Sequence, residues 1–327
     1  MSTADATTTP SDRRSYLEWS TQGKSGFFRY LAGAIAIVII WFVGQAIMQA
    51  ILGAVLPGIS TTSAGVASSD QTWAALVYQL ASFLPFFVAT PLIVRWIHKR
   101  PGLTVATPFL GVNLRMITRG ALLWLLIMAI TMIPVLIARP SDFRVNFQPA
   151  QFIPVVLVSL VFLIWQTSAE ELFFRGYLVQ AFGKRWRNPV YLGIVSGVLF
   201  AIPHLANPEV ANVAADEFLF GFMAYFSSGF AWAFVSVRSG TIELAIGAHF
   251  MNNLVNILVV TVESSALGPT AVLIDSQSGV VEAGVISMIS AALFMVLTWR
   301  AKGSGDPREL LPDHATEAAP SQPDAPA

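Results

Sequence analysis

Eight apolar runs dominate this chain of 327 residues and leave few choices for its fold. They cover approximately residues 31–56, 73–96, 120–138, 152–174, 190–205, 217–237, 241–262 and 280–298. A helix needs about 20 apolar residues to cross the hydrocarbon core of a bilayer, where it satisfies its own backbone hydrogen bonds. The fifth run is short and carries a proline and a histidine near its end, so hydropathy alone ranks it last, but its neighbours fix the count. The expected fold class is therefore all-α, a polytopic membrane protein of about eight transmembrane helices. Only 12% of the residues are charged, against about a quarter in a soluble domain, which agrees with that reading.

Basic residues orient the bundle. Arg13, Arg14, Lys24 and Arg29 precede the first run, and Lys99, Arg100 and Arg115 separate the second from the third. Lys184, Arg185 and Arg187 follow the fourth, Arg238 the sixth, and Arg300, Lys302 and Arg308 the eighth. All these segments fall on one side. On the other, segments 57–71, 206–216 and 263–279 hold no Lys or Arg, and only Arg139 and Arg144 run against the trend. The positive-inside rule then predicts both termini to be cytoplasmic. Residues 1–25 and 303–327 are too polar to order themselves and read as disordered cytoplasmic tails flanking a transmembrane domain, 26–302. The expected setting is the plasma membrane of a bacterium, with membrane lipids as surroundings.

Two function classes drop out early. A formal net charge of zero with no visible basic face argues against a nucleic-acid partner. The absence of cysteine removes disulfides, thiolate metal sites and a cysteine nucleophile, so chemistry must come from carboxylates, imidazoles and hydroxyls.

Charges at bilayer depth are costly, and each one is a candidate for function. The stretch SAEELFFRGYL, 168–178, ends the fourth run with Glu170, Glu171 and Arg175. On a helix the two carboxylates project about 100° apart, and Arg175 follows Glu171 by one turn, the favourable order for a pair. Glu170 has no evident local partner. An interfacial ion cluster is the alternative explanation of all three. FAIPH closes the fifth run with His204, and AHFMNNLVN puts His249, Asn252, Asn253 and Asn256 on one helical stripe, a pattern that interhelical hydrogen bonding also produces. His98, in the basic HKR, and His314 read as solvated bystanders.

Placement makes the group more telling than its parts. Glu170 and His204 lie nearly equally far from the turn at Arg187 to Pro189. At about 1.5 Å per residue, antiparallel helices put both roughly 25 Å from it, past the midplane, with His249 within reach. A glutamate and a histidine facing one water form a general base, and a histidine with an asparagine amide offers donors to an oxyanion. That set can hydrolyse an acyl or peptide bond without a covalent intermediate. Glu170, His204 and His249 could instead hold zinc, which would acidify a bound water. The sequence lacks H-E-x-x-H, and Ser168 and Ser196 are not in a nucleophile-elbow context. A proton-coupled transporter and a non-catalytic scaffold are the competing classes, although no internal repeat of the transporter kind is visible.

EELFFRG at 170–176, FAIPH at 200–204 and HFMNN at 249–253 resemble, in order and spacing, the motifs E-E-x-x-x-R, F-x-x-x-H and H-x-x-x-N of the CPBP family. That family comprises CAAX prenyl proteases of the Rce1 type and bacteriocin-processing or bacteriocin-immunity (Abi) proteins. The resemblance covers about residues 150–260, the expected catalytic core. It implies an intramembrane endopeptidase acting on a membrane-embedded or lipidated, CAAX-like peptide. Glu170 and His204 would activate the water, His249 and Asn253 would hold the oxyanion, and Glu171 and Arg175 would support them. The family is commonly classed with metalloproteases, so the cofactor stays open between zinc and none. Having one well-placed carboxylate, with Asn253 a poor zinc ligand, slightly favours a metal-free water. An immunity protein without activity is the alternative within the same family.

Overall fold

The computed structural model describes residues 15–61, 66–211, 213–277 and 279–303. Each of the eight apolar runs becomes a helical rod. The first is α1 (Phe27–Val55), followed by a small hairpin of β1 (Ser60–Thr61) and β2 (Ala67–Ser68). The second rod is split into α2 (Thr72–Ala81) and α3 (Leu84–Ile97), with a proline in the first turn of α3. α4 (Leu114–Ala138) starts at Asn113, whose side chain accepts from the N–H groups of Arg115 and Met116. After β3 (Phe143–Val145), the fourth rod runs without a break through α5 (Pro149–Glu171), a π-helical segment Leu172–Leu178, and α6 (Val179–Gly183).

α7 (Pro189–His204) is set by two local signals: Asn188 caps the N–H groups of Val190 and Tyr191, and Pro189 takes the first helical position, where no N–H is needed. The short α8 (Pro208–Ala211) leads to α9 (Phe218–Ser239), which stops at Gly240 in the left-handed region, φ 84°. α10 (Glu243–Leu258), β4 (Val260–Val262), β5 (Leu273–Asp275) and α11 (Val280–Leu297) complete the described chain. β5 pairs antiparallel with β3 and parallel with β4, so this sheet sits on the face where α4, α10 and their connections end.

Among the described residues six rods, Phe27–Val55, Thr72–Ile97, Leu114–Ala138, Pro149–Gly183, Phe218–Ser239 and Val280–Leu297, are long and apolar enough to cross a membrane. The chain is thus an integral, multi-pass membrane protein. α7 and α10 have 16 residues each, about 24 Å, and lie among the longer rods. Leu244 to His249 of α10 are buried. Small residues let the backbones approach there, as in membrane helix packing generally: a Cβ on Gly247 would collide with the Ile117 carbonyl of α4, and one on Gly120 with the Leu244 carbonyl. Phe28, Ile35 and Phe42 of α1, with Leu122, Ile130 and Ile137 of α4, point outward as lipid-facing side chains do.

Two expectations need correction. The amino-terminal tail does not extend to residue 25: Tyr16–Thr21 forms a 3-10 helix with Tyr16, Leu17, Trp19 and Ser20 buried. Its apolar residues are few, but they occupy one side and dock on α6 and on the 3-10 turn Gly102–Val105. Gln180 donates to the carbonyls of Tyr16 and Thr104 at 2.7 and 2.6 Å, and fully buried Arg100 donates to the Trp19 carbonyl and, at 2.6 Å, to Gln180 Oε1. His98, too, is no solvated bystander. It is fully buried between the Lys24 carbonyl (3.1 Å) and the Tyr177 hydroxyl (2.8 Å). Burial, helped by the charge of Arg100, lowers its pKa to about 4. Residues 1–14 and 304–327, including His314 and the expected carboxy-terminal tail, lie outside the described residues.

Candidate active site

The site is built where the fourth rod changes its helical period. α5 ends on Glu170 and Glu171, and the π-helical turns that follow carry Arg175; such turns occur often at functional sites. Arg175 Nη1 lies 2.9 Å from Glu171 Oε1, and both side chains are fully buried. The guanidinium also rests 4.0 Å from the centre of the Phe200 ring and 5.1 Å from that of Trp232, so cation–π attraction offsets part of its desolvation. Tyr16 closes this end, its hydroxyl donating to the Arg175 carbonyl at 2.9 Å.

Glu171 shares Oε1 with a second partner, His249 Nδ1, at 2.8 Å. A carboxylate only accepts, so Nδ1 carries a proton and Nε2 is turned toward Glu170 Oε2, 3.7 Å away. The His249 ring is stacked on Trp232, with centroids 4.5 Å apart.

His204, the last residue of α7, is fixed in the same manner. Its Nδ1 donates to the Phe200 carbonyl one turn earlier at 2.7 Å, which leaves the Nε2 lone pair facing Glu170 Oε2 at 4.0 Å. Glu170 Oε1 accepts from Gln166 Nε2 at 2.6 Å, whereas Oε2 is buried and has no hydrogen-bond partner. Two acceptors 4.0 Å apart are too far for direct contact and well separated for one bridging water that donates to both. Asn253 lines the same cavity as these two side chains. Its Nδ2 donates one proton to Gln166 Oε1 at 3.1 Å, leaving the other free, and its Oδ1 accepts from Asn252 at 3.0 Å.

The structure brings together all six residues singled out by the sequence. Glu170, His204, His249 and Asn253 line one cavity of about 440 Å³, while Glu171 and Arg175 lie behind its wall. Ser196 instead donates to the Phe174 carbonyl at 3.4 Å, outside the cavity lining. Asn252 accepts from Trp124 Nε1 of α4 at 3.2 Å, and Asn256 bonds back to its own helix at 2.8 Å, so this part of the asparagine stripe is interhelical and local bonding.

Two groups escaped the sequence reading. Glu170 does have a local partner, Gln166, found by the same i, i+4 spacing that pairs Glu171 with Arg175. Tyr225 of α9 stacks on His204 at 4.4 Å, and its hydroxyl donates to Glu209 and accepts from Asn207 Nδ2 at 2.9 Å. No spacing rule links α9 to α8, so nothing in the sequence pointed to this pair.

Zinc was the alternative use of Glu170, His204 and His249. The described residues contain no group of three or more His, Asp or Glu side chains disposed to hold a metal ion. What the arrangement does offer is a carboxylate and an imidazole facing one small space, with Asn253 and the His249 ring lining the same cavity.

A family model described as type II CAAX prenyl endopeptidase Rce1-like matches residues 150–255, a range that contains Glu170, His204, His249 and Asn253. YyaK, an uncharacterized protein of Bacillus subtilis (strain 168), is 34% identical over 254 residues, covering 76% of this chain and 82% of YyaK.

Proposed function

Because the chain belongs to the Rce1-like family of type II CAAX prenyl endopeptidases, we propose that it is an intramembrane endopeptidase in which Glu170 and His204 activate the hydrolytic water. The observation that carries this reading is the 4.0 Å approach of His204 Nε2 to the unpartnered Glu170 Oε2 at the cavity wall. A water bridging them attacks the carbonyl carbon of the scissile peptide bond and gives its proton to Glu170. The carbonyl oxygen becomes an oxyanion facing the free amide proton of Asn253 and the Nε2 edge of the His249 ring. Glu170 then passes the proton to the leaving amine as the C–N bond breaks, which returns both side chains to their starting state.

The remaining residues hold this set in place. Gln166 donates to Glu170 and accepts from Asn253, so base and oxyanion donor are tied through one side chain. Glu171 orients His249, and Arg175 neutralises Glu171. The four lining residues surround one space instead of forming a string, which favours hydrolysis over a proton relay. The substrate class is a membrane-embedded or lipidated peptide.

The test is cleavage of a fluorogenic lipidated peptide by the purified protein in detergent, for wild type and Glu170→Gln, each with and without a zinc chelator. Activity should fall by about 10³-fold or more in the variant, the scale on which a unit of catalytic residues fails together. Wild-type activity should survive the chelator. Loss with the chelator would replace this reading with a metal-dependent one.

A further inference from the structure

The cavity beside Glu170 is shut toward one face of the bundle and lined toward the other. On α4, α7, α9 and α11 the lining residues nearest the basic loops are Trp124, Phe200, Trp232 and Ser290, all buried. Behind this floor lie Arg175, on the Phe200 ring, and Tyr16, bonded to the Arg175 carbonyl. In the other direction the lining continues to Asn207 and Glu209, to Ser264–Leu267 and to Gly279, and Ser264 and Gly279 are exposed. A peptide therefore reaches Glu170 from the face of segments 206–216 and 263–279, opposite the basic loops.

Charge narrows what that peptide can be. Glu170, Glu209 and Asp275 line the cavity, and among the described residues no Lys or Arg does. In the segments of that face, Arg139 is paired with Glu282 at 2.5 Å and Arg144 with Glu263 at 2.9 Å. A chain-terminal carboxylate beside the scissile bond would be a further negative charge in a confined space whose described lining offers it no Lys or Arg, next to the unpartnered oxygen of Glu170. A CAAX tail has such a carboxylate within about three residues of its lipidated cysteine.

We infer that the substrate is an internal peptide bond of a membrane-associated chain, presented on the face opposite the basic loops, with no terminal carboxylate near the cut. This inference rests on the hydrolase reading above. The distribution of Lys and Arg makes that face the non-cytoplasmic one, so the substrate is an exported peptide and not a cytoplasmic CAAX tail.

The chain has no cysteine, so single cysteines report access without background. Full-length His204→Gln protein carrying Ser264→Cys at the rim, or Arg187→Cys on the basic face, is exposed in bacterial spheroplasts to a membrane-impermeant maleimide. Ser264→Cys should label at once, and Arg187→Cys only after permeabilisation; the reverse pattern, or labelling of both together, overturns the inference. The probe is an N-palmitoylated octapeptide of alanine, leucine and serine, made as the carboxamide and as the free acid. The carboxamide should protect Ser264→Cys at a concentration about tenfold or more below that of the acid. Equal protection, stronger protection by the acid, or protection by neither overturns the inference. Since His204→Gln is cleavage-deficient under the proposed mechanism, protection reports binding alone. Cleavage of the carboxamide by wild type, measured in parallel, decides the hydrolase reading separately.

Discussion

Asn253 has one amide proton on Gln166 and one free, and that free proton is what an oxyanion would use. Asn253→Ala should therefore lower kcat by about 10²–10³-fold with little change in KM, the cost of losing one oxyanion donor. Gln166→Leu removes the bond to Glu170 and the bond to Asn253 at once. If Asn253 acts through this shared partner, combining the two substitutions will cost less than the product of the single losses, as for residues of one network. Steady-state kinetics on the three variants, with thermal unfolding as a check on folding, measures this. Full multiplicativity would separate Asn253 from Gln166. At this scale the sequence was informative about identity and poor about partnership. Glu170, His204, His249 and Asn253 could be named because charges and amides in apolar runs are rare. Tyr225 could not, because a tyrosine in an aromatic-rich helix carries no mark of the imidazole it will stack on.

Among the elements, α10 depends on its small residues and the fourth rod on its amino-terminal clasp. Gly247→Val places a side chain against the Ile117 carbonyl of α4, and α10 cannot back away because its other side is buried. Overpacking of this kind costs about 1–3 kcal/mol or more, so the variant should show a lower unfolding temperature and a displaced His249, hence reduced kcat. The clasp predicts a pH dependence. His98 is neutral when folded, with its pKa lowered to about 4 from the usual 6.5. The unfolded state then binds more protons between those values, so His98 makes stability fall as pH drops from 6.5 toward 4. His98→Gln should flatten the slope of unfolding temperature against pH in that window, and an unchanged slope would contradict the assignment. Hydropathy marked every rod but missed the clasp, since Tyr16, Leu17 and Trp19 are too few to raise the average of a polar segment. It also could not foresee the π-helical turns, which depend on packing around Arg175.

For the whole molecule, the sequence specified an all-α, multi-pass bundle because lipid allows little else for eight apolar runs. Glu170 and His204 do share one level, 4.0 Å apart, with His204 at the end of α7 that leads into segment 206–216. The shape of the cavity and its closed floor were not legible, because they arise where seven rods meet and no single run encodes them. The central claim joins two of those rods, α5 and α7, through one water between Glu170 and His204. The most direct test compares Glu170→Gln, His204→Gln and the double variant in the peptide-cleavage assay, each confirmed folded by its unfolding temperature. If both side chains act on the same water, the double variant should be no slower than the slower single variant, as for groups that act as a unit. Losses that multiply in the double variant would mean that the two residues act separately, and would contradict the shared water.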